Sequence, residues 1–295
     1  MSSATSVAKR GVLSILDSVS IQELIKGVQG MESLGYDSYW IPELFGREPM
    51  ATAATLLANT TKINIATGIA NVYVRDPHAT VQASHTLGEM SLGRFILGLG
   101  VSNVGVNTAR GHTWEPPMRK MSKYLDAMAA IEPKGAAAGN LAPMHIAAHG
   151  PKLQSLASER SNGPLTYLMS PAHTRLSRER IGHQAELDVV CMMLAEKDAT
   201  QARTIAREAL AYYLTLDYYH REWRELGFSD ADFADGGSDE LIDMLVGWGD
   251  QDAMEAHIAE HVNAGASRIL IMPLDFGVTD IASSPTLIAL APSSR

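Results

Sequence analysis

A single cysteine, Cys191, stands among 295 residues. No internal disulfide can form, and the apolar run LDVVCMML around it gives the thiol the role of a small buried hydrophobe. Basic charge is also scarce: 24 Lys and Arg against 33 Asp and Glu leave a formal net charge of −9 with His neutral. A nucleic-acid backbone or an anionic membrane selects a clustered basic face. The nearest approach, Arg175 to Arg180 in TRLSRER, reads as a solvated helix face. The balance argues against nucleic acid and membrane as partners. No apolar stretch nears the roughly 20 residues of a membrane span. The opening MSSATSVAKRG has neither an apolar core nor a cleavage-like site. The expected setting is the cytoplasm.

What the chain has is alternation. With 46% hydrophobic and 19% charged residues it is ordinary for a folded protein. Short apolar or β-branched runs are followed by longer segments of helical spacing. Eight runs read as strands: Val12–Leu16, Ser38–Pro42, Ile63–Thr67, Phe95–Leu99, Met144–Ala148, Leu165–Met169, Glu186–Met193 and Arg268–Met272. Helix starts are marked by the capping box Ser20-Ile-Gln-Glu23, with Gly35 as its stop, and by proline after Asp76 and after Gly150. Further helices are predicted near 199–213, 218–226, 238–248 and 251–264, so several separate the seventh strand from the eighth. Strands separated by helices pair in parallel with right-handed crossovers. Eight of them favour an α/β fold of the (β/α)8 TIM-barrel type over a six-stranded open sheet. The stretch EPKGAAAGNLAP at 132–143 reads as a loop inside one domain spanning 1–295.

Motifs are individually weak. His257-Ile-Ala-Glu-His261 matches His-x-x-Glu-His, a zinc-peptidase pattern when inverted, but spacing supplies no third ligand. It reads as an amphipathic helix, and no metal is assigned. Gly98-Leu-Gly100 ends the fourth strand, yet Asn103 stands where a Rossmann fingerprint needs glycine. Glycine there suits close approach of a ligand to backbone amides. The exit of the third strand, ATGIANVYVRDP, stays apolar while turning and then presents Asn71, Tyr73 and Arg75. Ser102, Asn103 and Asn107, His149 and Gly150, and Asn162 with Gly163 gather small or hydrogen-bonding groups at loops, a polar rim for one barrel mouth. The helix beginning at Pro151 offers free amides to a phosphate. Glu43 is either an acid or base with a pKa raised by an apolar mouth, or the partner of Arg47.

Four blocks carry a family resemblance: LGYDSYWIPELFGREP; ATGIANVYVRDPHATVQASHTLGEMSLGRFILGLGVS; AAHGPKLQSLASERSNG; and GGSDELIDMLVGWGDQDAMEAHIAEHVNAGASRILI. In that order they resemble the bacterial luciferase-like superfamily, in particular its deazaflavin branch, which uses coenzyme F420. The resemblance implies a TIM barrel that binds a flavin or deazaflavin at its C-terminal mouth. It also implies a non-proline cis peptide at Gly68–Ile69. Gly68, Ile69 and Asn71 would lie against the ring, Ser102 and Asn103 near the ribityl chain or phosphate, and Gly150, Asn162 and Gly163 on the phosphate side. The implied activity is hydride transfer between C5 of F420 and a small organic substrate by a homodimer. An FMN-dependent monooxygenase and a non-catalytic cofactor-binding protein are the alternatives. Where related alcohol and sugar-phosphate dehydrogenases place His after an acidic residue, this chain has Glu43-Leu44; the usual imidazole base is absent, which argues against alcohol or sugar-phosphate oxidation, and Glu43 is the candidate catalytic group.

Overall fold

The computed structural model describes residues 8–132, 134 and 142–292; most of the loop read at 132–143 lies outside them. The strands are β1 (Lys9–Leu13), β2 (Ser38–Ile41), β3 (Asn64–Thr67), β4 (Ala70–Asn71), β5 (Phe95–Gly100), β6 (Met144–Ala147), β7 (Gly163–Tyr167), β8 (Asp188–Leu194), β9 (Val246–Trp248) and β10 (Arg268–Pro273). Their pairings are parallel, in the order β10-β1-β2-β3-β5-β6-β7-β8. A β8–β10 ladder that sets Asp188 opposite Arg268 closes the ring. These eight strands form a (β/α)8 barrel, as the alternation predicts. The open six-stranded alternative does not hold.

Seven side chains fill the lumen: Leu13, Trp40, Ala66, Ile96, Leu165, Val190 and Leu270. The strands' opposite face, with Val12, Tyr39, Ile65, Phe95, Val189 and Ile269, packs on the helices. Burial on both faces is why these strands read as continuous apolar runs. The N-terminal end of the lumen is ionic instead. Asp188 Oδ2 lies 2.8 Å from Arg268 Nη1 and 3.1 Å from His145 Nδ1. The Arg268 guanidinium sits 5.8 Å from the Trp40 ring centre.

Local signals hold where they are strong. The Ser20 hydroxyl accepts from Glu23 N–H at 3.2 Å while the Glu23 carboxylate accepts from Ser20 N–H at 2.8 Å, the reciprocal capping box. Two expectations need correction. β1 starts at Lys9, not Val12, because Arg10 is buried in a bidentate pair with Glu255, at 2.7 and 2.5 Å. The segment predicted as one helix over 238–248 is a helix only over Asp239–Leu245. Its last residues, Val-Gly-Trp, form β9, which pairs with Met192–Leu194 of β8. The lower part of β8 pairs with β7 through Val190, so β8 changes partner along its length. That change opens the barrel between β7 and β8 at its C-terminal mouth. β4 is the second addition, a two-residue strand on Leu99 and Gly100 just after the Gly68–Ile69 bond, which is cis.

Candidate active site at the C-terminal mouth

Partly exposed Ile69, Tyr167 and Met272 lie on top of the lumen cluster and form the floor of the mouth. Gly100 makes room for Ile69: a Cβ at this glycine would meet Ile69 Cγ1 at 2.6 Å. A Cβ at Gly98 would meet the Thr67 carbonyl at 2.0 Å. Strand packing, rather than approach to a ligand, requires both glycines.

The segment following β8 walls one side with aromatic rings. Tyr167 Oη donates to Tyr213 Oη at 2.9 Å, and the two rings meet edge to face. Burial, reinforced by Tyr213 and Tyr218, raises the Tyr167 phenol well above its ordinary pKa, so it keeps its proton. Tyr212 Oη donates to Asn103 Oδ1 at 2.9 Å, tying this wall to the loop after β5. Tyr219 stacks on Trp223 and lies 5.7 Å from the His149 ring. None of these tyrosines was a sequence candidate. Their signal is AYYLTLDYY, in which Tyr212, Tyr213, Tyr218 and Tyr219 crowd four of the chain's 9 tyrosines.

Glu43 follows β2 and is buried. Its N–H donates to the Ile69 carbonyl at 3.3 Å, and its carboxylate accepts from Asn71 N–H at 2.8 Å. Arg75 Nη2 lies 3.2 Å and Arg110 Nη1 3.7 Å from the same carboxylate. Burial raises the Glu43 pKa, and the Asn71 N–H and the two guanidinium groups oppose that shift. The expected pairing with Arg47 does not form, because Arg47 is turned onto the carbonyls of Leu16 and Val19. Glu43 therefore spans the turn from Ile69 to Asn71.

The other candidates fall into two groups. Gly68, Ile69, Asn71, Ser102, Asn103 and Gly150 are all carried by segments at the C-terminal ends of strands. Asn71 is fully buried, with its amide spent on Asn107 Oδ1 at 2.8 Å and on Tyr73 N–H at 3.0 Å. Asn103 caps the short helix that follows β5, accepting from Val106 N–H at 2.9 Å, and Ser102 before it has φ +56°. Gly150 starts the helix Pro151–Arg160 with no side-chain cap. The nearest atom to a Cβ at Gly150 would be Glu222 Oε1 at 3.9 Å, so this face of the backbone is open.

Asn162 and Gly163 lie elsewhere. Asn162 N–H donates to Met144 O at 2.7 Å and its carbonyl accepts from Glu186 N–H at 2.8 Å. Met144 begins β6 and Glu186 precedes β8, which places Asn162 at the N-terminal end of the barrel. The five-residue β7 separates it from the mouth by roughly 13 Å. The phosphate-side grouping expected for Asn162 and Gly163 is corrected accordingly.

His149 joins the site from the loop after β6. Burial, and then nearby His173, lowers its pKa to about 3. Its buried Nδ1 has no hydrogen-bond partner among the described residues. Beyond the rim, Tyr73 stacks on Trp114 at 5.7 Å, and a groove of about 450 Å³ runs past Tyr73, Arg75, Glu115, Lys120, Lys123 and Tyr124.

The model of the luciferase-like monooxygenase family matches residues 4–268. A 5,10-methylenetetrahydromethanopterin reductase of Methanolobus tindarius is 30% identical over 210 residues, 61% of this chain and 64% of that protein. Its namesake in Archaeoglobus fulgidus is 26% identical over 293 residues, 84% of this chain and 88% of the relative. Among solved structures, an F420-dependent secondary alcohol dehydrogenase in complex with an F420-acetone adduct superposes with a TM-score of 0.77. That likeness covers 98% of this chain and 100% of the other at 15% identity, and shows the shared fold.

Proposed function

The chain belongs to the luciferase-like monooxygenase family, and from that premise we propose that it is a coenzyme F420-dependent oxidoreductase acting on a small organic substrate at the barrel mouth. The observation that carries this reading is the composition of the mouth: an apolar floor, an aromatic wall and a neutral imidazole with an unsatisfied Nδ1. A planar heteroaromatic ring fits there, lying over Ile69 with Tyr167 and Tyr213 to one side. The uncapped amides of the helix that Gly150 begins offer donors to an anionic tail, beside a Glu222 carboxyl whose pKa burial raises. A bound deazaflavin supplies hydride chemistry at its C5 carbon, while the protein supplies orientation and electrostatics.

Each residue then has a physical task. Ile69 supports the ring from below. Glu43 is a positioning residue that holds the Ile69–Asn71 turn from both sides. Tyr213, which accepts from Tyr167, keeps its own phenolic proton at the mouth, ready to donate to an oxygen or nitrogen of the substrate. His149 stays uncharged at neutral pH and offers Nδ1 to a polar edge. The tyrosine wall excludes water. A homodimer is part of the same proposal and is read by sedimentation.

The test is turnover. Reduced F420 is mixed anaerobically with the protein and a panel of imines, ketones and activated alkenes, and the return of oxidised-cofactor absorbance is followed. Substrate-dependent oxidation that is indifferent to oxygen is expected. Oxygen consumption with reduced FMN instead establishes the monooxygenase reading that the family's description also carries. Cofactor binding without turnover on any substrate leaves a binding protein.

A further inference from the structure

Away from the mouth, the outer face of β8 and the helix Gln251–Asn263 bring together the chain's single thiol and two imidazoles. Cys191 and Met193 alternate with Val190 and Met192 along β8, so both turn from the lumen toward the helices. His257 and His261 stand one turn apart on the helix that packs over them, with ring centres 5.5 Å apart. One potential ligand atom from each of Cys191, His257 and His261 lies within 4.8 Å of the other two. Metal bonds of 2.0–2.3 Å in a tetrahedral site put donors roughly 3.3–3.8 Å apart, so small side-chain rotations close the set on an ion.

Two further features favour a ligand here. Thr174 Oγ1 lies 3.3 Å from the Ser170 carbonyl, to which it donates, and 2.9 Å from His261 Nδ1. That pattern assigns the proton to Nδ1 and leaves the Nε2 lone pair of His261 free, the outer-partner arrangement that orients metal-binding imidazoles. Gly247 in β9 lets the His257 ring and the Met193 thioether pack together against its Cα. A Cβ there would stand 2.8 Å from both His257 Cγ and Met193 Sδ, so the thioether adjoins the second imidazole. The intervening Glu260 is exposed and takes no part. A second cluster, His145, Glu186 and Asp188, is already neutralised by Arg268 at 2.8 Å from Asp188 and is no cation site.

We propose that Cys191, His257 and His261, with Met193 alongside, bind one thiophilic d10 cation, zinc(II) or copper(I), between the barrel and the helix Gln251–Asn263. Thiolate, thioether and imidazole donors without a carboxylate select such ions over magnesium or calcium. On binding, the Cys191 S–H bond breaks, its proton passes to buffer and a sulfur–metal bond forms; no oxidation state changes. The ion would pin β8 to the helix leading into β10.

The test uses the full chain without cofactor, which separates it from the oxidoreductase reading. Zinc(II) in air and copper(I) under anaerobic conditions are each titrated in competition with a chromophoric chelator. Whichever arm retains one equivalent per chain identifies the ion. Cys191→Ser is expected to weaken retention at least about 100-fold, and Thr174→Val, which removes only the orienting hydroxyl, by about 10- to 100-fold. Cobalt(II) is expected to give a thiolate charge-transfer band in the wild type and none in Cys191→Ser. If Cys191→Ser does not fold, Thr174→Val and the wild-type cobalt spectrum decide. Failure to retain either ion, retention unchanged in the variants, or a cobalt complex without that band overturns the proposal.

Discussion

Replacing Gly163 by Ala separates a structural glycine from a cofactor-binding one. Gly163 opens β7 at φ +152°, and its added Cβ would stand 1.8 Å from the Glu186 carbonyl oxygen. Contacts under 3.0 Å are essentially never seen for a Cβ, so the backbones of β7 and the segment entering β8 must part. Overpacking of this kind costs about 1–3 kcal/mol. The two backbone hydrogen bonds that Asn162 makes to Met144 and Glu186 lie at the same point, and losing them costs about 1 kcal/mol each. The sum is about 3–5 kcal/mol. With an unfolding entropy of about 2.1 cal/mol/K per residue, a chain of 295 residues loses roughly 5–8 °C in melting temperature. Circular dichroism melts measure that loss. A fluorescence titration with F420 at 20 °C below the variant's midpoint, roughly, is expected to give a Kd within about threefold of wild type, because Gly163 is a strand's length from the mouth. An unchanged midpoint with a Kd raised tenfold would refute the placement.

Glu43→Gln retains an acceptor for Asn71 N–H and leaves Arg75 its second partner, Glu48 at 2.8 Å; cofactor Kd and kcat are expected to stay within about threefold. Glu43→Ala leaves that buried N–H unpaired, costs about 1–3 kcal/mol and raises Kd about tenfold; a collapse of kcat at unchanged Kd in Glu43→Gln would instead make Glu43 the acid or base. For His149, a folded-state pKa of about 3 against 6.5 unfolded means that the unfolded chain takes up the proton first on acidification. Stability is present above pH 6.5 and falls as pH drops toward 3. Between pH 7 and 5 the wild type is expected to lose about 2 kcal/mol more than His149→Gln in urea titrations, and equal losses would contradict the buried neutral imidazole. Asp188→Asn removes the anion facing Arg268 and His145 and is expected to cost about 3 kcal/mol. Asp188→Asn with Arg268→Met should recover at least about 1 kcal/mol of that in the same titration.

The barrel is legible because parallel strands buried on both faces produce unbroken apolar runs, and because the Ser20, Asp76 and Pro151 helix starts are local events. What escapes is long-range. Arg10 looks like a chain-end charge until Glu255, far along the sequence, is beside it. β9 escapes because Val246-Gly247-Trp248 takes its strand form from the free upper edge of β8, not from its own neighbours. Asn162 and Gly163 look like loop residues of the mouth, since nothing local tells which end of a barrel an Asn-Gly turn occupies. The Tyr212–Tyr219 segment escapes too, because rings on a helical insert carry no positional signal until Tyr213 meets Tyr167. Cys191 and the His257/His261 pair read separately as a buried hydrophobe and an amphipathic helix; only the packing of that helix on β8 brings them together.

The most direct measurement is a parallel titration of the cofactor-free protein with F420 and with FMN, following the fluorescence of each. One F420 per chain is expected, lost at least tenfold in affinity on Ile69→Asp, with FMN binding far weaker. Saturation by FMN alone, or binding of neither, would contradict a deazaflavin site at the C-terminal mouth.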